Sequence, residues 1–313
     1  MKYMKTITAI LILVMSTCPW VLGETIAQTD GLVEFSVKEK GTYCSALDSI
    51  QVVPKGFRLE DVMTTFSILS ENAENLSVYK DGFAYESTLG LALSDALYMV
   101  DHENLDQLNS FDLPFMPIEE ACEYVVSCFS TLGISVAIET AYAIDSSEYD
   151  RLYNSHIEWI ADMGRDKRNW SDEDNSYVIY LNQEYEGIHV YPGFFWYEEI
   201  VNNYPGTEIV VFLSERGFEY ISCAWSTAMT SYFQLDNVMD FETAENVFTE
   251  EYNNLLTLNP KHIIVYEADL VYMTFEDEDS YVLRPYWVFR AKMENGERRD
   301  YILNAVDREV FGL

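Results

Sequence analysis

The last fifty residues constrain this chain most. From Ile264 to Phe311 the sequence alternates as a strand, breaks at an acidic loop, alternates again, turns at Asn295-Gly296 and alternates a third time. In the middle run Tyr281, Leu283, Pro285, Trp287, Phe289, Ala291 and Met293 share one face, and Arg284, Tyr286, Val288, Arg290 and Lys292 share the other. A period of two with bulky apolar residues on one side predicts an antiparallel meander with one buried face. Phe241 to Leu256, just upstream, has the spacing of an amphipathic helix that would cover that face. The expected fold class is therefore α+β, made of helix-plus-antiparallel-sheet units. The outer face, with Arg284, Tyr286, Arg290 and Lys292, is a basic-aromatic strip and a candidate partner surface.

The N-terminus has a different character. Lys2 and Lys5 precede a mostly apolar run from Ile7 to Met15, followed by Pro19 and Gly23. This charged, apolar and small-residue layout predicts a secretory signal, with Val21 and Gly23 placing cleavage before Glu24. The run is too short to span a bilayer comfortably. Cys18 offers a second reading, a lipid-modified N-terminus, although Met15-Ser16-Thr17 departs from the usual lipobox. No other stretch is long and apolar enough to cross a membrane.

Acidity narrows the partners. The 313 residues hold 19 Lys and Arg against 53 Asp and Glu, a net charge of −34. Removal of residues 1–23 would take two of those lysines and no acid, deepening the charge to −36. Such a field repels nucleic-acid phosphates and anionic headgroups, so neither is expected as a ligand. Apolar residues make up 49% and aromatics 15%, enough for a packed core and against disorder.

Beyond the signal segment lie Cys44, Cys122, Cys128 and Cys223. An even number in an exported chain permits two disulfides with three pairings. Cys122 and Cys128 fall six apart on a predicted helix and point in different directions, so they should not pair. No zinc spacing is present. Buried free thiols are the expectation, with Cys44 or Cys223 joined to one helix cysteine as the alternative.

Along the chain, Leu32 to Lys38 and Ser49 to Val53 read as strands, and Arg58 to Leu69 and Ser87 to Val100 as helices. The Pro114 and Pro117 region reads as a linker. Pro117 then opens a helix that should stop before Gly133. Ile134 to Ile144 follows as a strand and Ser146 to Met163 as a helix. Two hairpins come next: Tyr177 to Tyr185 with Ile188 to Tyr191, and Glu208 to Leu213 with Phe218 to Trp225. A helix followed by a strand occurs twice, at Ile118–Ile144 and Phe241–Phe275, a faint internal echo. The expected blocks are 1–23 signal, 24–112, 113–232, and 233–313 as helix plus meander.

No catalytic motif stands out. There is no Gly-x-Ser-x-Gly elbow and no His-Glu-x-x-His, and the four histidines are His102, His156, His189 and His262. The acidic runs at Asp172–Asn175 and Glu276–Asp279 lack the glycine and glutamate of a calcium loop and read as solvated loop tips. The segment from His189 to Tyr197 is strongly aromatic, and with Trp196 it could stack a sugar ring, but core packing at a strand end is the preferred reading. Arg165, Lys167 and Arg168 crowd into four positions beside Trp170. They form either a docking loop or a set of cations neutralising Asp172–Asp174, and the second reading is preferred. No cofactor and no metal site is expected.

Three short motifs carry a resemblance: Pro285-Tyr-Trp-Val-Phe289, Asn295-Gly296 and Asn304-Ala-Val-Asp307-Arg-Glu-Val310. Together they resemble the closing strands of PepSY-like domains and of YycH/YycI-type extracytoplasmic regulators. Tyr177–Leu181 and Glu186–Val190 are similar to secreted proteins of unknown function from gut Firmicutes. The resemblance covers about Tyr177 to Phe311, and Asn304 and Arg308 stand where those endings have Asp and Gly. It implies a non-enzymatic envelope protein with a protein partner, inhibitory or regulatory in role, and brings no catalytic residues. The alternatives are a secreted hydrolase using His189 or His262 beside a carboxylate, and a glycan-binding module around Trp196.

Overall fold

The computed structural model describes residues 24–25, 33–38, 47–98, 110–155, 161, 168–191, 196–197, 200–201, 208–255, 262–277 and 280–311. The expected signal segment, Cys44, His102 and His156 lie outside these. In chain order the main elements begin with β1 (Val33–Phe35), β2 (Asp48–Pro54), α1 (Leu59–Thr65), β3 (Leu76–Tyr79), β4 (Gly82–Glu86) and α2 (Thr88–Tyr98). Next come α3 (Ile118–Thr131), β5 (Val136–Ile144), α4 (Ser146–Ser155), β6 (Ser176–Tyr185), β7 (Ile188–His189), β8 (Glu208–Ser214), β9 (Gly217–Cys223) and β10 (Thr227–Gln234). The chain closes with α5 (Phe241–Leu255), β11 (Ile263–Asp277), β12 (Ser280–Met293), β13 (Arg298–Asn304) and β14 (Val310–Phe311). The fold class is α+β, with mostly antiparallel sheets.

The chain divides into two compact units. One comprises Met1–Ser49, Phe233–Val271 and Pro285–Leu313, and the other Ile50–Tyr232 and Tyr272–Arg284. The expected blocks 24–112 and 113–232 therefore do not separate at residue 112. Strand pairing explains this, because β4 is hydrogen-bonded to β9, as Tyr220↔Glu86 and Cys223↔Phe83.

In the larger unit the main sheet runs β3-β4-β9-β8-β6-β5, antiparallel between every neighbour. Successive residues of β6 face opposite ways, yet Tyr177, Val178, Ile179 and Leu181 are all fully buried. Helices cover both faces. Val62 of α1, its C-cap residue Phe66, and Ala121, Val125 and Phe129 of α3 pack with Tyr177, Ile179 and Val211. Leu89 and Leu93 of α2 and Tyr149, Leu152 and Tyr153 of α4 pack with Val178 and Phe212 on the other side.

Local chemistry sets the element ends. Pro117 is the N-cap of α3 rather than its first helical residue, and the Ile118 N–H donates to Asp112 Oδ1 at 3.0 Å. Past the end of α3, Gly133 adopts φ 73°, and the N–H groups of Gly133 and Ile134 donate to the Ser130 and Phe129 carbonyls, closing a Schellman motif. The β6–β7 hairpin turns through Glu186 and Gly187, both at positive φ, as a two-residue loop requires. Two elements escape the sequence reading: the β3–β4 hairpin, which turns through Lys80-Asp81 between paired Tyr79 and Gly82, and β10.

In the other unit β1 runs parallel to β11, β11 neighbours β12, and β12 pairs with β13 in the register Tyr286↔Asn304 to Lys292↔Arg298. The expected helix does cover this meander. Phe248 of α5 stacks on Phe289 at 4.7 Å and meets Tyr301 at 5.4 Å, while Phe241 meets Trp287 edge-on at 5.7 Å. Phe35 of β1 closes the cluster against Phe248 and Phe289. The Trp287 indole N–H donates to the Met239 carbonyl at 3.0 Å, satisfying its buried polar atom.

Candidate functional site

The candidate strip on β12 is only partly open. Arg284 and Lys292 are exposed, and the Arg284 guanidinium lies 5.5 Å over the Phe275 ring. Tyr286 and Val288, expected to face solvent, are buried at 3% and 0% exposure. Asn304 Nδ2 donates to the Tyr286 hydroxyl at 3.3 Å. Arg290 is held by carboxylates on both neighbouring strands. Its Nη1 lies 3.0 Å from both Asp269 and Glu267 of β11, and its Nε is 3.9 Å from Asp300 of β13.

Arg168 and Trp170 also fall within a packed arrangement, while Arg165 and Lys167 lie outside the described residues. Arg168 Nη2 and Arg216 Nη2 each donate to Asp174 Oδ1 at 3.1 Å. The Ser171 N–H and hydroxyl donate to Asp174 Oδ2. Arg216 Nε and the Ser214 hydroxyl then donate to Glu219 Oε1, and the Ser87 hydroxyl to Glu219 Oε2. Burial alone would raise the Asp174 pKa, but the Ser171 N–H and the two guanidiniums outweigh it and hold the carboxyl below its ordinary range. Trp170 stacks on Tyr149 at 4.9 Å and 21°, with the Arg168 guanidinium 4.9 Å over its ring. Neutralisation of Asp174 thus explains Arg168, as preferred above, and Arg216 is the partner that sequence reading missed. Glu219 enters through a β-bulge: Phe212 pairs Tyr220 and Leu213 pairs Phe218, so Glu219 is the extra residue.

His262 Nε2 lies 3.8 Å from Glu34 Oε2, both about one-third exposed. His189 sits on β7 opposite Glu184. Trp196 and Tyr197 form a two-residue strand with Ile200 and Val201, and their side chains lie outside the description. Cys122, Cys128 and Cys223 are free thiols, and burial pushes Cys223 up to about 12. Asp172–Asp174 is a single turn closed by a Ser171 capping box.

The surface that does stand open is β10, unannounced by any sequence signal. Among the described residues it ends one side of its sheet, next to β2. Thr230 Oγ1 donates to the Gln51 carbonyl, Ser231 Oγ to Gln51 Oε1, and Gln51 Nε2 to Ser280 Oγ, which fixes β10 on β2 and β2 on β12. Met229 is 54% exposed and Tyr232 64%. Thr227 to Gln234 holds no charged residue in a chain of which 23% is charged. Trp225 stands at its entrance with φ 54°, a left-handed conformation that costs a bulky residue about 1 kcal/mol or more. Flanking backbone bonds hold it there: Ser226 N–H donates to the Asp81 carbonyl, and Lys55 N–H to the Ser226 carbonyl, each at 2.7 Å.

No family model matches the chain, and no curated protein matches it. Among solved structures, the fold is similar to the crystal structure of an uncharacterized protein from Eubacterium rectale, at 14% identity and a TM-score of 0.66. The match covers 93% of this chain and 94% of that one. At that identity the likeness shows a shared α+β fold alone.

Proposed function

We propose that this is an exported or envelope-anchored binding or regulatory protein, without a catalytic role, that accepts a basic protein segment as an added strand on β10. The observation that carries the reading is the uncharged strand β10 at the end of its sheet, with Met229 and Tyr232 exposed along it and Trp225 at its entrance. Natural edge strands are usually blunted by lysine, proline or a bulge, and an apolar edge left open is a template for strand addition. Aromatic side chains at the edge suit a binding hot spot. The partner is cationic because the chain carries a net −34, which steers basic segments toward it while the edge itself offers no charge to obstruct pairing. The signal-like N-terminus and the likeness of Pro285–Phe289 to extracytoplasmic regulators support placement outside the cytoplasm.

A photo-reactive residue at position 232 in the native envelope should cross-link one defined protein through a basic segment, whereas the same probe at Lys292 should not. Met229→Arg with Tyr232→Arg should weaken that partner at least about tenfold, since both arginines repel cations and blunt the edge. Unchanged capture by the double variant, or indiscriminate cross-linking from both positions, would sink the proposal.

The His262–Glu34 contact favours one second reading, a secreted hydrolase of peptide or glycan, in which the carboxylate orients the imidazole as a general base. Activity on mixed substrate pools that disappears in His262→Ala would support it. Turnover indifferent to that change would end it.

A further inference from the structure

A cleft of about 530 Å³ opens in the larger unit, between the segment Lys55–Arg58, α1 and the C-terminal end of α3. That volume falls within the range of about 300–1,000 Å³ typical of small-molecule sites. Its lining divides by charge. Lys55 and Arg58 supply cationic donors, Asp61 an anionic acceptor, and Phe57 and Leu132 apolar lining.

The hydroxyls add to the acceptor side. Thr64 Oγ1 donates its proton to the Glu60 carbonyl at 2.7 Å, and Thr131 Oγ1 donates its own to the Ser127 carbonyl at 2.9 Å. Each oxygen is left with lone pairs only, so each accepts from a ligand and does not donate.

The cations are available. Lys55 is half-buried, with its ammonium 5.8 Å over the Phe57 ring, and among the described residues no carboxylate pairs with it. Arg58 pairs with Glu60 at 2.7 Å, but both side chains are about three-quarters exposed. An ion pair so open to water contributes about 0–1 kcal/mol and yields readily to a better partner.

We infer that this cleft binds a small zwitterion, a free amino acid or short peptide, with its carboxylate on Lys55 and Arg58 and its ammonium against Asp61, Thr64 and Thr131. A purely anionic ligand would meet three acceptors and approach a protein of net charge −34. A purely cationic one would meet two cations. A zwitterion feels no net repulsion and uses both walls, while an apolar side chain lies on Phe57 and Leu132. This inference is independent of the β10 edge.

Isothermal titration of the full chain with the dipeptides Ala-Ala and Ala-Phe, the N-acetylated and C-amidated forms of each, and inorganic phosphate tests it. At least one free dipeptide should bind, and blocking either end should weaken it about tenfold or more. Lys55→Met and Asp61→Asn should each cause a similar loss with unchanged circular dichroism, and either variant suffices if the other misfolds. Absence of binding by both free dipeptides at concentrations of about 10 mM overturns the inference. So does equal binding of phosphate or the acetylated forms, which would mark a site for anions only.

Discussion

Arg290 Nη1 donates to Asp269 Oδ2 at 3.0 Å, joining β12 to β11 through a carboxylate that is 5% exposed. Glu267 and Asp300 extend the contact to three acids on two strands. Loss of the guanidinium would leave Asp269 buried without its charge partner, and such a loss is far more damaging than loss of a surface pair. Arg290→Met should therefore destabilise the fold by about 2–3 kcal/mol, below the figure for a fully buried pair because Arg290 itself is 24% exposed. Urea unfolding of Arg290→Met alone and together with Asp269→Asn measures this. The double variant should recover part of the loss.

Asp174 makes the corresponding bridge in the larger unit, and its depressed pKa makes the fold acid-sensitive. The sign follows from linkage. A carboxyl whose pKa is lower folded than unfolded adds stability that is complete above the unfolded value of about 3.9 and is lost as pH falls through the folded value. Melting temperature should hold steady from neutrality to about pH 5 and then fall below about pH 4. Asp174→Asn should flatten part of that fall and destabilise the neutral protein by about 2–4 kcal/mol, because Arg168 and Arg216 lose their shared acceptor. A fall of the same steepness in the variant would show that other carboxyls govern acid unfolding.

What was legible in the chain follows the range of each interaction. The alternation in β12 identified which residues share a face, and the spacing of α5 identified what covers one of those faces. Periodicity carries no information about the opposite face, so the burial of Tyr286 and Val288 was invisible. Arg168 and Asp174 lie six residues apart and were readable as neighbours, whereas Arg216 reaches Asp174 from 42 residues away. The bulge at Glu219 breaks the period of two that strand reading depends on. β10 escaped because Thr227–Gln234 mixes small, hydroxyl and aromatic residues on both sides, and beyond the buried Thr227 neither side is packed into a core. The Asp81-Gly82 dipeptide marks the β3–β4 hairpin only approximately, because the two-residue loop is Lys80-Asp81 and Gly82 already pairs with Tyr79.

Arg308 has φ 67° in the turn between β13 and β14, the left-handed region that glycine enters without steric penalty. The turn survives here because the Asn304 side chain accepts from the Val306 N–H at 2.9 Å and donates to Asp307 Oδ2 at 3.0 Å. Arg308→Gly should therefore stabilise the fold by about 0.5–1 kcal/mol, with the gain from relieved strain exceeding the added freedom of the unfolded chain. A shift of the denaturant midpoint to lower concentration would contradict that account.

Gly90 shows the opposite dependence, on space rather than dihedral. It lies in the first turn of α2, where its N–H donates to the Ser87 hydroxyl at 2.9 Å, and Ser87 in turn donates to Glu219. A Cβ at this position would sit 1.9 Å from the Glu219 carbonyl oxygen, a backbone atom of β9 that cannot swing aside. Gly90→Ala would normally favour a helix by about 1 kcal/mol. Here α2 would have to lift from the sheet, withdrawing Leu89 and Leu93 from their contacts with Val178 and Phe212 and separating Ser87 from Glu219. Overpacking of this kind typically costs about 1–3 kcal/mol, and the lost buried hydrogen bond adds to it. A net destabilisation of about 2–4 kcal/mol is expected by thermal or urea unfolding. Amide exchange should quicken along α2 while α3, on the other face of the sheet, keeps its protection. Stability equal to or above that of the parent chain would mean that α2 does not rest on β9 as closely as this contact requires.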